Sequence, residues 1–282
     1  MTERNYYQKI TAHSKPWQLN LGELWRYRDL VWLWTRRLLV LSYKQTVLGP
    51  LWVVLTPLLS SVLYAFVFGG IAGLETDGVP HVLFYLCTGA LWSFFSAGLT
   101  KNAAVFRDNA QLFGKVYFPR LTVPVANILG AAVQFGLQLL PAAIFLTYYV
   151  VTGAVTPNWW ALPLIPVILV QVGLLSLGCG LLIAALTVKY RDLQILVTFG
   201  VQLWMFATPV VYPLSAVGTA NLRSLLLLNP MTAPMELLRF CLLGRGAVLP
   251  WGLAVSACVT ILLAAVGMLA FRRAERTFLD TV

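Results

Sequence analysis

The chain has 282 residues, 59% of them hydrophobic and only 11% charged, with a formal charge of +10 and a mean hydropathy of +0.79. Soluble domains carry roughly 25% charged residues, so this composition excludes a disordered chain and argues against a water-exposed globule, which would lack the polar surface to cover so much apolar side chain. The four cysteines (Cys87, Cys179, Cys241 and Cys258) have neither the density of a disulfide scaffold nor the spacing of a metal site.

The first 20 residues are polar and mixed, without the apolar run of a cleavable signal. Residues 21–47 predict an amphipathic helix. On a helical wheel Arg26, Asp29, Arg36, Arg37 and Lys44 fall on one side, and Leu24, Val31, Trp34, Leu38 and Leu41 on the other. With Trp25 near its start, such a helix suits the cytoplasmic membrane interface; Arg28, Leu33 and Val40 break the pattern, and an ordinary polar extension is the alternative.

A hydrocarbon core of about 30 Å takes roughly 20 apolar residues in a helix. Six runs free of Asp, Glu, Lys and Arg meet or approach that length: about 51–70, 82–99, 121–151, 164–188, 195–212 and 251–271. If all six cross, 17 of the 20 Lys/Arg fall on one side, in 1–50, 100–120, 189–194 and after 271. The other three, Arg223, Arg239 and Arg245, fall on the opposite side. The positive-inside rule then puts both termini in the cytoplasm, and topology explains the net charge without nucleic acid.

Between spans two and three, the cytoplasmic segment 106–120 mixes charge with aromatic residues: Phe106, Arg107, Leu112, Phe113, Lys115, Phe118 and Arg120. It reads either as a docking element with aromatic anchors or as a solvated connector. Residues 213–250 hold Pro213, Pro230, Pro234 and Pro250 with apolar pieces too short to span, which predicts a hairpin dipping into the outer leaflet. A seventh span there would carry Arg272, Arg273 and Arg276 to the wrong side.

Aromatic residues are abundant inside the spans. Tyr64, Phe68, Trp92, Phe95, Trp204 and Phe206 are candidates for a pathway that stacks on sugar rings, with plain apolar packing as the alternative at each. The expected fold is an all-α integral membrane protein. It has a cytoplasmic N-terminal region (1–50) with the interfacial helix, a six-helix membrane domain (51–272) with an outer re-entrant hairpin before the last span, and a cytoplasmic tail (273–282).

No Gly-rich phosphate loop is present, and the two histidines, His13 and His81, stand apart, so neither a nucleotide, a metal nor a catalytic site is expected on this chain. The spans hold no ionisable residue of the kind ion-coupled transporters keep near the midplane. A pathway without its own energy source points to an engine on another chain.

The stretch Tyr43-Lys44-Gln45-Thr46-Val47-Leu48-Gly49-Pro50-Leu51-Trp52 with Pro57 resembles the entry into the first span of the membrane subunits of type-2 ABC exporters, specifically the polysaccharide and lipid-linked glycan permeases. Asn109 through Leu112, Lys115, Phe118-Pro119-Arg120 and Pro124 resemble that family's coupling region. Lys189-Tyr190-Arg191-Asp192 resembles its turn between spans four and five, and Asn229-Pro230 with Pro234 its outer hairpin.

The resemblance covers about residues 25–272. It implies a homodimer in the cell inner (plasma) membrane, lined by aromatics, with two copies of a separate ATPase that binds ATP and Mg²⁺. It also implies a lipid-linked glycan substrate: O-antigen, capsule, teichoic acid or another. The alternatives are export of drugs or small hydrophobic molecules by the same fold, or an ATPase-independent secondary transporter.

Overall fold

A computed structural model describes residues 21–44, 47–113, 118–190 and 192–281. All regular structure among them is helical. Two helices, α1 (Leu21–Arg26) and α2 (Arg28–Tyr43), occupy the region expected to hold the amphipathic helix. α2 packs along α7 (Thr122–Val151) through Val31 and Thr35, whose hydroxyl bonds back to the Val31 carbonyl at 2.8 Å. Its exposed side is mixed. Arg36 and Arg37 share it with Trp32, Leu33, Val40 and Leu41, so Leu41 lies away from the apolar set to which the wheel assigned it. The Leu24 side chain lies outside the described residues.

Four long apolar helices follow the expected spans closely. α3 (Leu51–Tyr64) continues as a π-helix over Ala65–Ile71, then come α4 (His81–Ala103) and, after two single-turn helices α5 (Val105–Asp108) and α6 (Ala110–Phe113), α7, and α8 (Ile165–Thr187) is entered through a 3₁₀ turn at Trp159–Leu164. The last, α12 (Pro250–Thr281), runs on as helix through residues 273–281 of the expected cytoplasmic tail. These five are each long and apolar enough to cross a bilayer.

The fifth predicted span is different. α9 (Leu193–Phe206) has only 14 residues, or roughly 21 Å at 1.5 Å per residue. The chain leaves it in tight turns over residues 207–212. The region expected to form a hairpin contains α10 (Ala220–Leu227) and α11 (Thr232–Leu243), bent by 97° at the break. Asn229-Pro230 sits at that break, and a proline following a helix end cannot continue it.

α4 is the central post, in contact with α3, α7, α8, α9 and α11. α8 packs against both α4 and α12. The α8–α12 contact is a glycine crossing: a Cβ on Gly267 would come within 2.9 Å of the Gly178 carbonyl carbon, and one on Gly178 would strike the backbone of Ala264. Close backbone approach through small residues is how helices associate where lipid supplies no hydrophobic drive. α3 lies at the periphery, with Leu51, Leu59, Leu63 and Phe66 all exposed. A second, smaller core joins Phe106, Phe113, Val123, Leu181, Ala184 and Phe271, at the end of the bundle where the connector between α4 and α7 lies.

Candidate functional site

Three features of this architecture bear on function: a cleft among the long helices, an anchored hairpin, and the connector.

The cleft, about 340 Å³, opens between α3, α4, α7 and the end of α9. α3 contributes Trp52, Thr56, Ser60, Ser61 and Tyr64, all at helical spacing on one face. Pro57 also lines it, and a proline in a helix has no N–H for the carbonyl four residues before it, here Val53, another wall residue. α4 contributes Tyr85, Trp92 and Ser93, and α7 contributes Gln134 and Gln138, one helical turn apart. No charged side chain lines it among the described residues.

The six aromatics singled out in the sequence divide. Tyr64 and Trp92 line the cleft. Phe68 packs 5.8 Å from Tyr64 and 6.4 Å from Tyr85, supporting the wall. Phe95 is wholly buried, 5.3 Å from Trp92 and 5.0 Å from Trp204, and belongs to the core. The Trp204 indole N–H donates to Asn229 Oδ1 at 3.1 Å, which ties α9 to the bent helix pair. Phe206 is exposed. Sequence reasoning missed Gln134 and Gln138. The available signal was two amides four residues apart in an otherwise apolar run.

Arg239 and Glu236 anchor α11. Both are buried, and Arg239 Nη1 donates to Glu236 Oε1 at 2.5 Å. Nη2 of the same guanidinium donates to the carbonyls of Pro209, Val210 (3.4 Å) and Tyr212 (3.3 Å), with the Phe84 ring 4.3 Å from the guanidinium carbon. Glu236 in turn accepts from the backbone N–H groups of Leu214 (3.2 Å) and Ala247 (2.9 Å). Asn229 donates to the Ala207 carbonyl at 3.0 Å and the Thr208 hydroxyl at 2.9 Å. Polar backbone left by the turns after α9 thus finds partners inside the protein, as non-helical backbone at membrane depth requires.

The connector faces two ways. Phe106 and Phe113 are buried against each other, 6.1 Å between ring centroids, and Phe106 in turn stacks on Phe271 at 4.7 Å. Arg120 is buried as well, bonded to the Glu275 carbonyl at 3.0 Å and the Phe113 carbonyl at 3.3 Å, with the Glu275 carboxylate 3.6 Å away. These three side chains therefore hold the connector to its own bundle and are not presented to a partner. Phe118 and Leu112 are half-buried, Phe118 lying 6.5 Å from Trp34 of α2. Arg107, Asp108 and Gln111 are exposed. Lys115 lies outside the described residues, as does Arg191 of the expected turn. On α1 and α2, Trp25, Arg36 and Arg37 are exposed, as is Lys44 just beyond.

Residues 29–243 match the ABC-2 type transporter family. Among curated relatives, the O-antigen export system permease protein RfbA of Myxococcus xanthus is 33% identical over 217 residues, covering 76% of this chain and 80% of that protein. Two proteins of the same name from Klebsiella pneumoniae are 31% identical over 195 residues (68% and 71% covered) and 30% identical over 201 residues (71% and 73% covered). With its apolar helices, its bent α10–α11 pair and a match over most of its length, the chain belongs to the ABC-2 type transporter membrane family.

Proposed function

We propose that this chain is the membrane-spanning subunit of an ATP-driven exporter that carries a lipid-linked polysaccharide of the O-antigen class from the cytoplasmic to the outer face of the inner membrane. The observation that carries the reading is the agreement of three relatives, each at least 30% identical over two thirds or more of this chain, on that one role.

In this reading α9 and the turns after it make a short fifth crossing, and α10–α11 re-enter from the outer side, fastened by Arg239 and Asn229. Both termini are cytoplasmic by the charge asymmetry. Two copies assemble so that the exposed faces of α3 and α9 meet a partner and the polar cleft turns away from lipid, since unpaired polar groups facing hydrocarbon are costly. Two copies of a separate ATPase, which bind ATP and Mg²⁺, dock on the exposed side of the connector around Arg107, Asp108 and Gln111. Force reaches the bundle because the inner side of the connector is clamped to α12 by Arg120 and touches α2 through Phe118 and Trp34.

Complementation tests this. A host lacking its own O-antigen permease, given this chain with its partner ATPase, should regain surface polysaccharide. Normal membrane abundance of both subunits with no polysaccharide at the surface would refute it.

A further inference from the structure

The carbonyl of Pro230 stands at the 97° bend between α10 and α11. In a continuing helix it would take the N–H four residues ahead, but that residue is Pro234, which has none. Ser256 of α12 supplies the missing donor. Its wholly buried hydroxyl donates to Pro230 O at 2.5 Å and accepts from Gln171 Nε2 of α8 at 2.7 Å. The first turn of α12 lies close by, since a Cβ on Gly252 would come within 2.9 Å of Leu227 at the end of α10.

The other end of α12 meets the connector. Phe106 stacks on Phe271, and Arg120 donates to the Glu275 carbonyl at 3.0 Å. Ser256 and Glu275 are about 28 Å apart along the helix at 1.5 Å per residue. Sharp helix kinks arise at internal prolines and π turns. α3 has both and α7 has Pro141, whereas the only proline of α12 is at its first position, where the missing N–H costs nothing. The close Gly178–Gly267 crossing braces it on α8 along the way. α12 is thus an unkinked strut with a polar attachment near each end.

Apolar helix faces in lipid shift past one another at little cost, but a directional hydrogen bond to a buried carbonyl without a helical partner is not given up so cheaply. The bend therefore follows Ser256 when α12 moves. Resting on the proposed ATP-driven export, we infer that Ser256, oriented by Gln171, is a positioning residue that carries movement of the connector through α12 to the α10–α11 hairpin on the outer side. It acts through Pro230 and not on the substrate. Rigid elements joined by hydrogen bonds are the physical means by which two distant sites are coupled.

The test uses the complete exporter, this chain with its partner ATPase. Surface polysaccharide is measured in the complementing host and ATP hydrolysis on the same complex purified into lipid nanodiscs, and their quotient is the coupling ratio. Ser256→Ala should lower that ratio about threefold to tenfold, the range of one lost neutral hydrogen bond, while hydrolysis and membrane abundance stay close to wild type. Gln171→Leu should lower it in the same direction and by less, and is read in place of Ser256→Ala where that variant fails to accumulate. A merely structural role would lower abundance, hydrolysis and export together and leave the ratio unchanged, which overturns the inference.

At the far end of α12, Arg120→Lys replaces a forked donor by a single ammonium and should also lower the ratio. Sites this far apart add in stability, so the unfolding midpoint of Ser256→Ala/Arg120→Lys should fall by the sum of the two single losses. Its coupling ratio should not, because both residues lie on one route, and the double variant should couple as well as the poorer single. A ratio that falls instead by the product of the single losses means two independent routes and overturns the inference. An unchanged ratio in both Ser256→Ala and Gln171→Leu overturns it too and leaves the export function standing. A host in which the wild-type pair restores no surface polysaccharide overturns the functional reading and this inference together.

Discussion

Replacing Arg239 by methionine keeps most of the side-chain volume and removes every donor it offers. In the folded chain that guanidinium serves Glu236 Oε1 and the carbonyls of Pro209, Val210 and Tyr212, in a site where Arg239 and Glu236 are both about 1% exposed. The substitution strands a buried carboxylate and unpairs backbone acceptors of the turns after α9. Breaking one partner of a buried ion pair costs about 3–5 kcal/mol, chiefly because the remaining charge is left uncompensated. For a chain of this size that corresponds to a fall of about 6–20 °C in the unfolding midpoint.

Glu236→Leu should cost a comparable amount, for it strands the guanidinium and the N–H groups of Leu214 and Ala247. The double variant Glu236→Leu/Arg239→Met removes both charges, so its loss should be clearly smaller than the sum of the two single losses. Thermal unfolding of the detergent-solubilised protein, followed by size-exclusion fluorescence, measures all three. A midpoint for Arg239→Met within about 2 °C of wild type, against the expected shift, would refute the claim that this pair fastens the bent helices.

Phe113→Ala should destabilise the membrane domain by about 3–5 kcal/mol, seen as a lowered unfolding midpoint, because the ring fills the second core. Arg107→Glu should instead leave membrane abundance intact and weaken ATPase copurification, the more so at low salt, because Arg107 lies on the exposed side of the connector. Gly267→Ala should cost about 1–3 kcal/mol and lower membrane abundance, since its new methyl meets the Gly178 backbone. For topology, single cysteines at Glu75 and Arg245, both exposed, should react with an impermeant maleimide only from outside, and one at Gln111 only from the cytoplasm. Glu75 and Arg245 reacting from opposite sides would make α10–α11 a crossing segment.

The sequence by itself determined where the long apolar helices run, because hydrocarbon thickness sets a length and the absence of charge in residues 51–70 or 164–188 admits few other readings. The prolines of residues 213–250 also marked a region that does not cross as one helix, and Asn229-Pro230 stands at the break between α10 and α11. The face each helix turns inward was not legible, and the cause is physical. In water the polar face of a helix is its outside, but in lipid both the core and the outside are apolar, so the pattern that orients a soluble helix carries little information.

Particular residues suffered from this. Phe106 and Phe113 read either as anchors for a partner or as part of a solvated connector, and only tertiary structure buried them against each other, with Phe106 on Phe271. Arg239 counted as an outer-side cation by hydropathy, but it is sealed against Glu236 and the carbonyls of the turns after α9, partners up to 30 residues distant. α9 stopped at Phe206, short of the predicted run, because Asn229 and Arg239 supply partners to the backbone that follows it. Gln134 and Gln138 were plain polar interruptions until α3 and α4 closed around them. A cleft is a relation among helices far apart in sequence, so it exists only once they have packed.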